Sequence, residues 1–347
     1  MPTFNFANNS YPGEVLEDLL TYTAQGNDTY REGLIHIKTG IQNKYILPSI
    51  SLNDIIQDNK PTPVSPASNS AISADSKGQY TFRERYLEPQ DFMVYVEFNP
   101  REFEKYWRFA QPEGNLVFRD LDPKLQAKML RLIMDKKNEF VGDAIWMSVK
   151  GGYSTATTPA ASANGEKLGD GFLKYFDGFM ARVMANLKEN VDGETVQLAG
   201  NTELTTGAQV EQALYTMWKK CPKQIRKNPS LVFAMNYDTW DLYDQFLSDK
   251  TMKYTDNTIE NKYRFKGKKM IPIVGVPAHT IVLTTLSTGT DSNLWMGVDY
   301  ASDEEVIKID RLQANSELYF FQMRMKMDVN IVRPAEIVLW TSYTNPA

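Results

Sequence analysis

The chain has 347 residues, 42% of them hydrophobic and 23% charged, with a formal net charge of -5. That length can bury a sizeable core in two or three substructures, and the acidic balance argues against a protein whose main task is gripping nucleic acid. The single cysteine, Cys221, excludes an internal disulfide framework and any multi-cysteine metal site.

Two histidines, His36 and His279, leave few general-base or metal-ligand schemes near neutral pH. The opening MPTFNFANNSYPGEV has no basic region followed by an apolar core, so no signal peptide is expected. No apolar run of about 18 residues occurs, so no transmembrane helix is expected. The composition fits folding in a reducing cytoplasm.

Residues 1–31 are polar and broken by Pro12, Gly13 and Gly26, with a short helical stretch over 14–22; they read as an arm ordered by a partner. From Glu32 the pattern turns to strand, with Ile35, Ile37 and Ile41 alternating with polar residues, then Tyr45 and Leu47. Residues 59–78 are rich in Pro, Ser and Ala and suit an exposed loop tip. A second β-rich run alternates through Tyr80 and Phe82, then Phe92, Val94, Val96 and Phe98. Together these segments predict a long two-stranded projection, which at this length needs support from something else.

A short aromatic helix is expected over 101–109. Asp122 and Pro123 then form a helix start, as N-cap and first helical residue. The segment from Pro123 to about Met147 places Leu125, Met129, Leu132, Ile133, Phe140, Val141 and Ile145 largely on one side. It predicts an amphipathic helix of roughly 25 residues, about 37 Å long. Residues 150–167 read as a boundary loop. Between about 200 and 300, helical stretches at 202–220 and 238–247 alternate with short strands at 231–235, 270–276 and 280–285, as in a small α/β subdomain. Strands at 295–298 and 305–309 lead to the longest element, and 336–340 adds one more.

That longest element runs from Tyr319 to Ile331. Its odd positions are Tyr319, Phe321, Met323, Met325, Met327, Val329 and Ile331, and its even positions from Gln322 on are Gln322, Arg324, Lys326, Asp328 and Asn330. Strict period-two alternation predicts a half-buried strand, on the order of 43 Å long at about 3.3 Å per residue. Pro334 stops it. The Met-rich side is expected to pack beneath the long helix, and the Arg324, Lys326 and Asp328 side to face solvent, genome or a neighbouring subunit.

Candidate chemistry is sparse. Asp238, Asp241 and Asp244 repeat at three-residue spacing but read as a solvated helix face, with no accompanying histidine or calcium loop. GEKLGDG at 165–171 lacks the phosphate-loop pattern and reads as a turn. Cys221 has no evident base to activate it. Asp170 and Asp177 have no sign of mutual approach, and their aromatic neighbours Phe172, Tyr175, Phe176 and Phe179 read as packing. Arg83, Arg85, Arg101 and Lys105 are interleaved with aromatics but also with Glu84, Glu88, Asp91, Glu97, Glu102 and Glu104, a mixture suited to subunit contacts rather than phosphates. No catalytic, cofactor-binding or metal-binding residues are therefore assigned, and no enzymatic activity is expected.

The order of parts resembles the major capsid protein of tailed bacteriophages, the Hong Kong ninety-seven type fold also seen in encapsulin shells. Four passages carry the resemblance: GDGFLKYFDGFMARV, LVFAMNYDTWDLYDQFL, IPIVGVPAHTIVLTT and ELYFFQMRMKMDVNIVRPAEIVLW. It implies an α+β fold with an N-terminal arm (1–31), an extended β-hairpin loop (32–98), a peripheral domain (99–199) with its spine helix at 123–147, an axial domain (200–290) and C-terminal peripheral strands (291–347). It implies a virion capsid subunit assembled in the host cytoplasm. Pentamers and hexamers would enclose double-stranded DNA without sequence-specific binding, with no membrane, no cofactor, and scaffolding, portal and decoration proteins as further partners. Some relatives cross-link a loop lysine to a peripheral asparagine, for which Lys60 or Lys77 and Asn330 are candidates by residue type. The alternatives are an encapsulin-type compartment shell and, more distantly, a soluble enzyme.

Overall fold

The computed structural model describes residues 9–10, 28–53, 56, 79–99, 123–153, 167–187, 194–249, 263–299, 307–313 and 318–343. Most of the expected arm, the 59–78 tip, the 101–109 helix, the Asp122 cap and most of the 150–167 loop lie outside them.

The strand foreseen at the C-terminal end forms with the expected bounds, as β13 (Tyr319–Ile331). It organises a six-stranded sheet. Along one edge it pairs antiparallel with β5 (Gln90–Phe98), from Tyr319 opposite Phe98 to Met327 opposite Gln90. Along the other edge two strands follow end to end. The first, β12 (Ile307–Arg311), covers Tyr319 to Met323, and β11 (Leu294–Asp299) covers Lys326 to Ile331. A parallel strand, β2 (His36–Lys38), extends the sheet beyond β11, and β1 (Asn9–Ser10) extends it beyond β12.

The long helix also forms with the expected bounds, as α2 (Pro123–Met147). Val141, Ala144, Ile145 and Trp146 are buried on it. They share a core with α3 (Phe179–Ala185), with Phe92 of β5, and with Met327, Val329 and Ile331 from the odd face of β13. Burying side chains of this size stabilises the fold by roughly 1.5–3 kcal/mol each. The C-terminal part of the apolar face, with Met325 partly buried beside it, thus joins the core that the helices share.

A second six-stranded sheet follows the order β6 (Gln197–Gly200), β14 (Val338–Trp340), β10 (Ile281–Thr285), β7 (Leu231–Met235), β9 (Lys268–Pro272), β8 (Arg264–Phe265). Every residue of β7 and β10 is buried, because this sheet is covered on both faces. Val232, Ala234, Ile271, Val282 and Leu339 point into the core shared with the first sheet. Their neighbours Leu231, Phe233, Met235, Met270, Ile281, Leu283 and Val338 point the other way, under α4 (Gly207–Lys220) and α5 (Tyr237–Asp249).

Helix α4 starts with a capping box, in which Thr206 Oγ1 accepts the Gln209 backbone N–H while Gln209 Oε1 accepts that of Thr206. Its first residue, Gly207, presses against Phe246 and the Leu242 carbonyl, where a Cβ would collide.

Two pairings differ from the sequence expectation. Phe92 to Phe98, expected in the projection, forms β5 and is zipped to β13. Val338–Trp340, expected with the long sheet, pairs with Ile281 to Leu283 of the second. Alternation fixes which face a residue occupies and leaves the partner strand open.

Candidate functional site

The feature that stands out from the body is a hairpin of β3 (Tyr45–Asn53) and β4 (Gln79–Leu87), paired in register from Tyr45 opposite Leu87 to Asn53 opposite Gln79. The two strands are nine residues each and make a two-stranded sheet of their own. Such a ribbon needs external support.

The base supplies it. Leu47 and Leu87 are buried with Ile41 and Trp295, and Tyr45 packs against them. Gly297 of β11 makes this approach possible, since a Cβ there would lie 2.8 Å from Ile41 Cδ1 and 3.2 Å from Leu87 Cβ.

Polar groups tie down the same side of the ribbon. Asn330 Nδ2 donates to the Tyr86 carbonyl at 2.6 Å, and the Glu88 backbone N–H donates to Asp328 Oδ2 at 2.8 Å. Further along, Arg85 Nη2 donates to Asn186 Oδ1 at 3.0 Å, and Arg83 pairs with Glu194 at 2.8 Å. Arg182 reaches the other oxygen of Asp328 at 3.4 Å. Asp328 is only 2% exposed, and that burial raises its carboxyl to about 6 despite Arg182 and two backbone N–H donors acting in the opposite direction.

These contacts revise two expectations. The even face of β13 is not uniformly outward. Arg324 is exposed, while Asp328 and Asn330 are buried beneath the hairpin base. Arg83 and Arg85, read as subunit contacts, are held within the chain by Glu194 and Asn186.

The opposite face of the ribbon is open and largely apolar, interrupted by Glu84, which accepts the Tyr86 hydroxyl, and by Lys44 over the Tyr86 ring. Ile46 stands across from Tyr86, and Ile50 across from Phe82. Phe82 is 70% exposed, Tyr80 64% and Ile50 62%. The Tyr80 and Phe82 rings stack at 6.4 Å. Contiguous exposed apolar side chains of this kind mark interaction surfaces. Sequence alternation alone could not find this face, since an apolar stripe on a strand reads as buried.

Most of the described residues weighed for chemistry have structural roles. His36 Nδ1 lies 2.6 Å from the Thr288 carbonyl and its ring rests on Trp295; His279 Nδ1 lies 2.9 Å from the Leu204 carbonyl. Cys221 is buried at the end of α4, and burial raises its thiol pKa. Asp170 accepts the Gly171 N–H and Asp177 that of Lys150, so the two carboxylates serve separate loops. Tyr175 and Phe176 pack on Phe92. Residues 167–171 form a turn in which the Gly169 N–H is taken by the Met147 carbonyl. Asp238 and Asp241 are exposed on α5. Asn330 spends its amide on Tyr86 and Ile331, while Lys60, Lys77, Arg101 and Lys105 lie outside the described residues. Among the described residues no group of three metal-ligating side chains gathers, and no helix is long and apolar enough to cross a membrane.

Compared by sequence, the chain matches no family model and no curated protein. Compared by structure, it is similar to the satellite phage P4 procapsid with its size-determination protein, at TM-score 0.57 and 12% identity over 97% of this chain and 93% of that one. It is similar to the cyanophage A-1(L) capsid at TM-score 0.54 and 12% identity, covering 92% and 93%. It is also similar to the capsid of the Myoviridae phage XM1 at TM-score 0.53 and 8% identity, covering 90% and 91%. The chain therefore has the α+β fold of tailed-phage major capsid proteins, over nearly its whole length.

Proposed function

We propose that this chain is a structural, non-enzymatic subunit of an icosahedral virus capsid, self-assembling into pentamers and hexamers around double-stranded DNA. The observation that carries this reading is the open apolar face of the hairpin, with Ile46, Ile50, Tyr80, Phe82 and Tyr86 exposed on a chain with a capsid-protein fold. A monomer gains nothing from leaving these side chains in water, whereas a second copy laid across them recovers their burial.

In this proposal residues 32–98 contain the extended loop that lies over a neighbouring subunit. Residues 99–199 and 291–347 would supply a peripheral domain around α2 and β13, and 200–290 an axial domain around α4 and α5, with the second sheet completed by β6 and β14 from the flanking ranges. Scaffolding, portal and decoration proteins would be further partners, with assembly in the host cytoplasm and residence in the virion shell. The net charge of -5 suits a wall that encloses DNA without adhering to it.

Electron microscopy and sedimentation of the expressed chain, alone and with the products of neighbouring genes, test the reading. Closed megadalton particles with nucleic-acid absorbance are expected from the packaging system. A monomer at every concentration and in both settings overturns the proposal, and particles holding protein cargo without nucleic acid replace the viral shell by a cellular compartment.

A further inference from the structure

Two short segments meet at one end of the second sheet. Residues 219–227 (KKCPKQIRK) run from the last turn of α4 through a 3-10 turn at Ile225–Lys227 towards β7, and residues 264–269 (RFKGKK) carry the β8–β9 turn. β9 lies parallel to β7, so both segments sit where β7 begins. Lys268 Nζ donates to the Asn228 carbonyl at 2.8 Å and joins them, and Lys266 Nζ stands 5.1 Å from the Tyr215 ring of α4.

The two segments hold nine Lys and Arg and no Asp or Glu. With these nine set aside, 29 of the 38 Lys and Arg remain against 43 Asp and Glu, so the acidic balance of the whole chain conceals a cationic surface. Arg226 and Lys268 are half-buried and the other seven are exposed. No ion pair among the described residues joins any of the nine to a carboxylate. Backbone carbonyls position three of them instead: Lys268 as above, Arg226 on Cys221 and Lys219 at 3.1 and 3.0 Å, and Lys220 on Leu198 at 2.7 Å.

The arrangement carries a cost within the chain. Arg264 stands directly opposite Lys269 in the hairpin register, and like charges opposed across a strand pair repel. Lys266 occupies the left-handed region at φ 52° before Gly267 at φ 77°, a turn position that Asn or Gly fills with less strain. An anion brought from outside relieves the repulsion.

We propose that this end of the second sheet binds the phosphate backbone of double-stranded nucleic acid, without reading its sequence. A surface of one sign suits phosphates, where mixed signs suit a protein partner. The chain's own acids supply the competing partner. At the other end of β7, α5 carries four aspartates and no cation, and Asp28 of α1 (Asp28–Arg31) acts electrostatically on its first residue, Tyr237. Four aspartates match nine cations poorly in number, whereas a duplex offers one negative charge per ~1.7 Å of its axis. The inference rests on the patch and not on the shell reading. Within a shell, it gives an otherwise acidic wall one adhesive point per copy.

The test is fluorescence anisotropy of a labelled DNA duplex of about 20 base pairs, titrated with the unassembled full-length chain between about 50 and 200 mM salt. Binding with a Kd on the order of 1–100 µM at physiological salt is expected, equal for two unrelated sequences. Lys223→Gln with Lys227→Gln and Lys269→Gln, three exposed positions, should reduce the slope of log affinity on log salt by about two to three. Lys150→Gln with Lys167→Gln and Lys174→Gln removes the same charge from exposed positions elsewhere and should leave the slope unchanged. Should the patch triple fail to fold, its single variants decide, each lowering the slope by about one. Absence of binding at low salt, or equal weakening by the two triples, overturns the proposal. Self-association that the patch triple abolishes, with the duplex left unbound, also overturns it and gives the patch to the aspartates of a second copy. A chain that binds duplex through the patch yet never forms particles refutes the shell reading and leaves this inference standing.

Discussion

Asp328 accepts the backbone N–H of Glu88 at 2.8 Å, so a carboxylate on the central strand holds the exit of the hairpin 240 residues away in sequence. Its carboxyl is raised by burial to about 6 from 3.8. The folded chain therefore binds a proton that the unfolded chain releases. That contribution is complete below pH 3.8 and is lost as pH rises through 6. Asp328→Asn keeps an acceptor for Glu88 and removes the titration. Between pH 4 and pH 7 the variant should gain stability on wild type by on the order of 3 kcal/mol at most, read as a thermal unfolding midpoint that rises relative to wild type. Parallel pH profiles for the two proteins would show that Asp328 is not the titrating group.

The ion pair between Arg83 and Glu194 is largely shielded, with side chains 17% and 16% exposed, and it holds the hairpin beyond its apolar base. Arg83→Ala should raise hydrogen-exchange rates of β3 and β4 amides roughly tenfold, the equivalent of about 1.4 kcal/mol, without altering those of β7 and β10. Uniform acceleration across the chain would mean that the pair stabilises the whole fold instead.

Thr29 is the acceptor for the buried indole N–H of Trp146. Thr29→Val preserves shape and leaves that donor unsatisfied, so it should cost about 1–3 kcal/mol. Thr29→Ser, which retains the hydroxyl, should recover most of the loss in a denaturation experiment. Equal losses in both variants would show that the hydroxyl does not restore stability, and would remove the Trp146 hydrogen bond as the cause.

Ile50→Ser with Phe82→Ser alters two exposed side chains opposite one another on the ribbon. Subunit stability should change by less than about 0.5 kcal/mol. Particle formation, read by sedimentation, should be lost or need a much higher protein concentration. Normal particles from the double variant would remove this face from the assembly contacts.

The elements with the longest periodic runs were legible in the sequence. β13 and α2 have the bounds that alternation and helical spacing give, because thirteen and twenty-five residues leave little room for another period. Strand partners were not legible. β5 and β14 were recognised as strands but joined different sheets from those expected, since the pairing depends on where the intervening chain returns. The polar half of β13 misled for a related reason. Asp328 and Asn330 look like solvent-facing residues until the hairpin base folds over them and supplies a backbone N–H and a carbonyl. The open face of the ribbon was hidden by the same logic in reverse, as Ile50 and Phe82 look like core residues when the rest of the core is not in view.

β13 is gripped by β5 on one edge and by β11 and β12 on the other. Antiparallel hydrogen bonds lie across the strand direction, so a pull along β13 loads every rung of both ladders at once instead of opening them one after another. Along its own axis β13 therefore behaves as a tie-rod, resisting tension with all its rungs together.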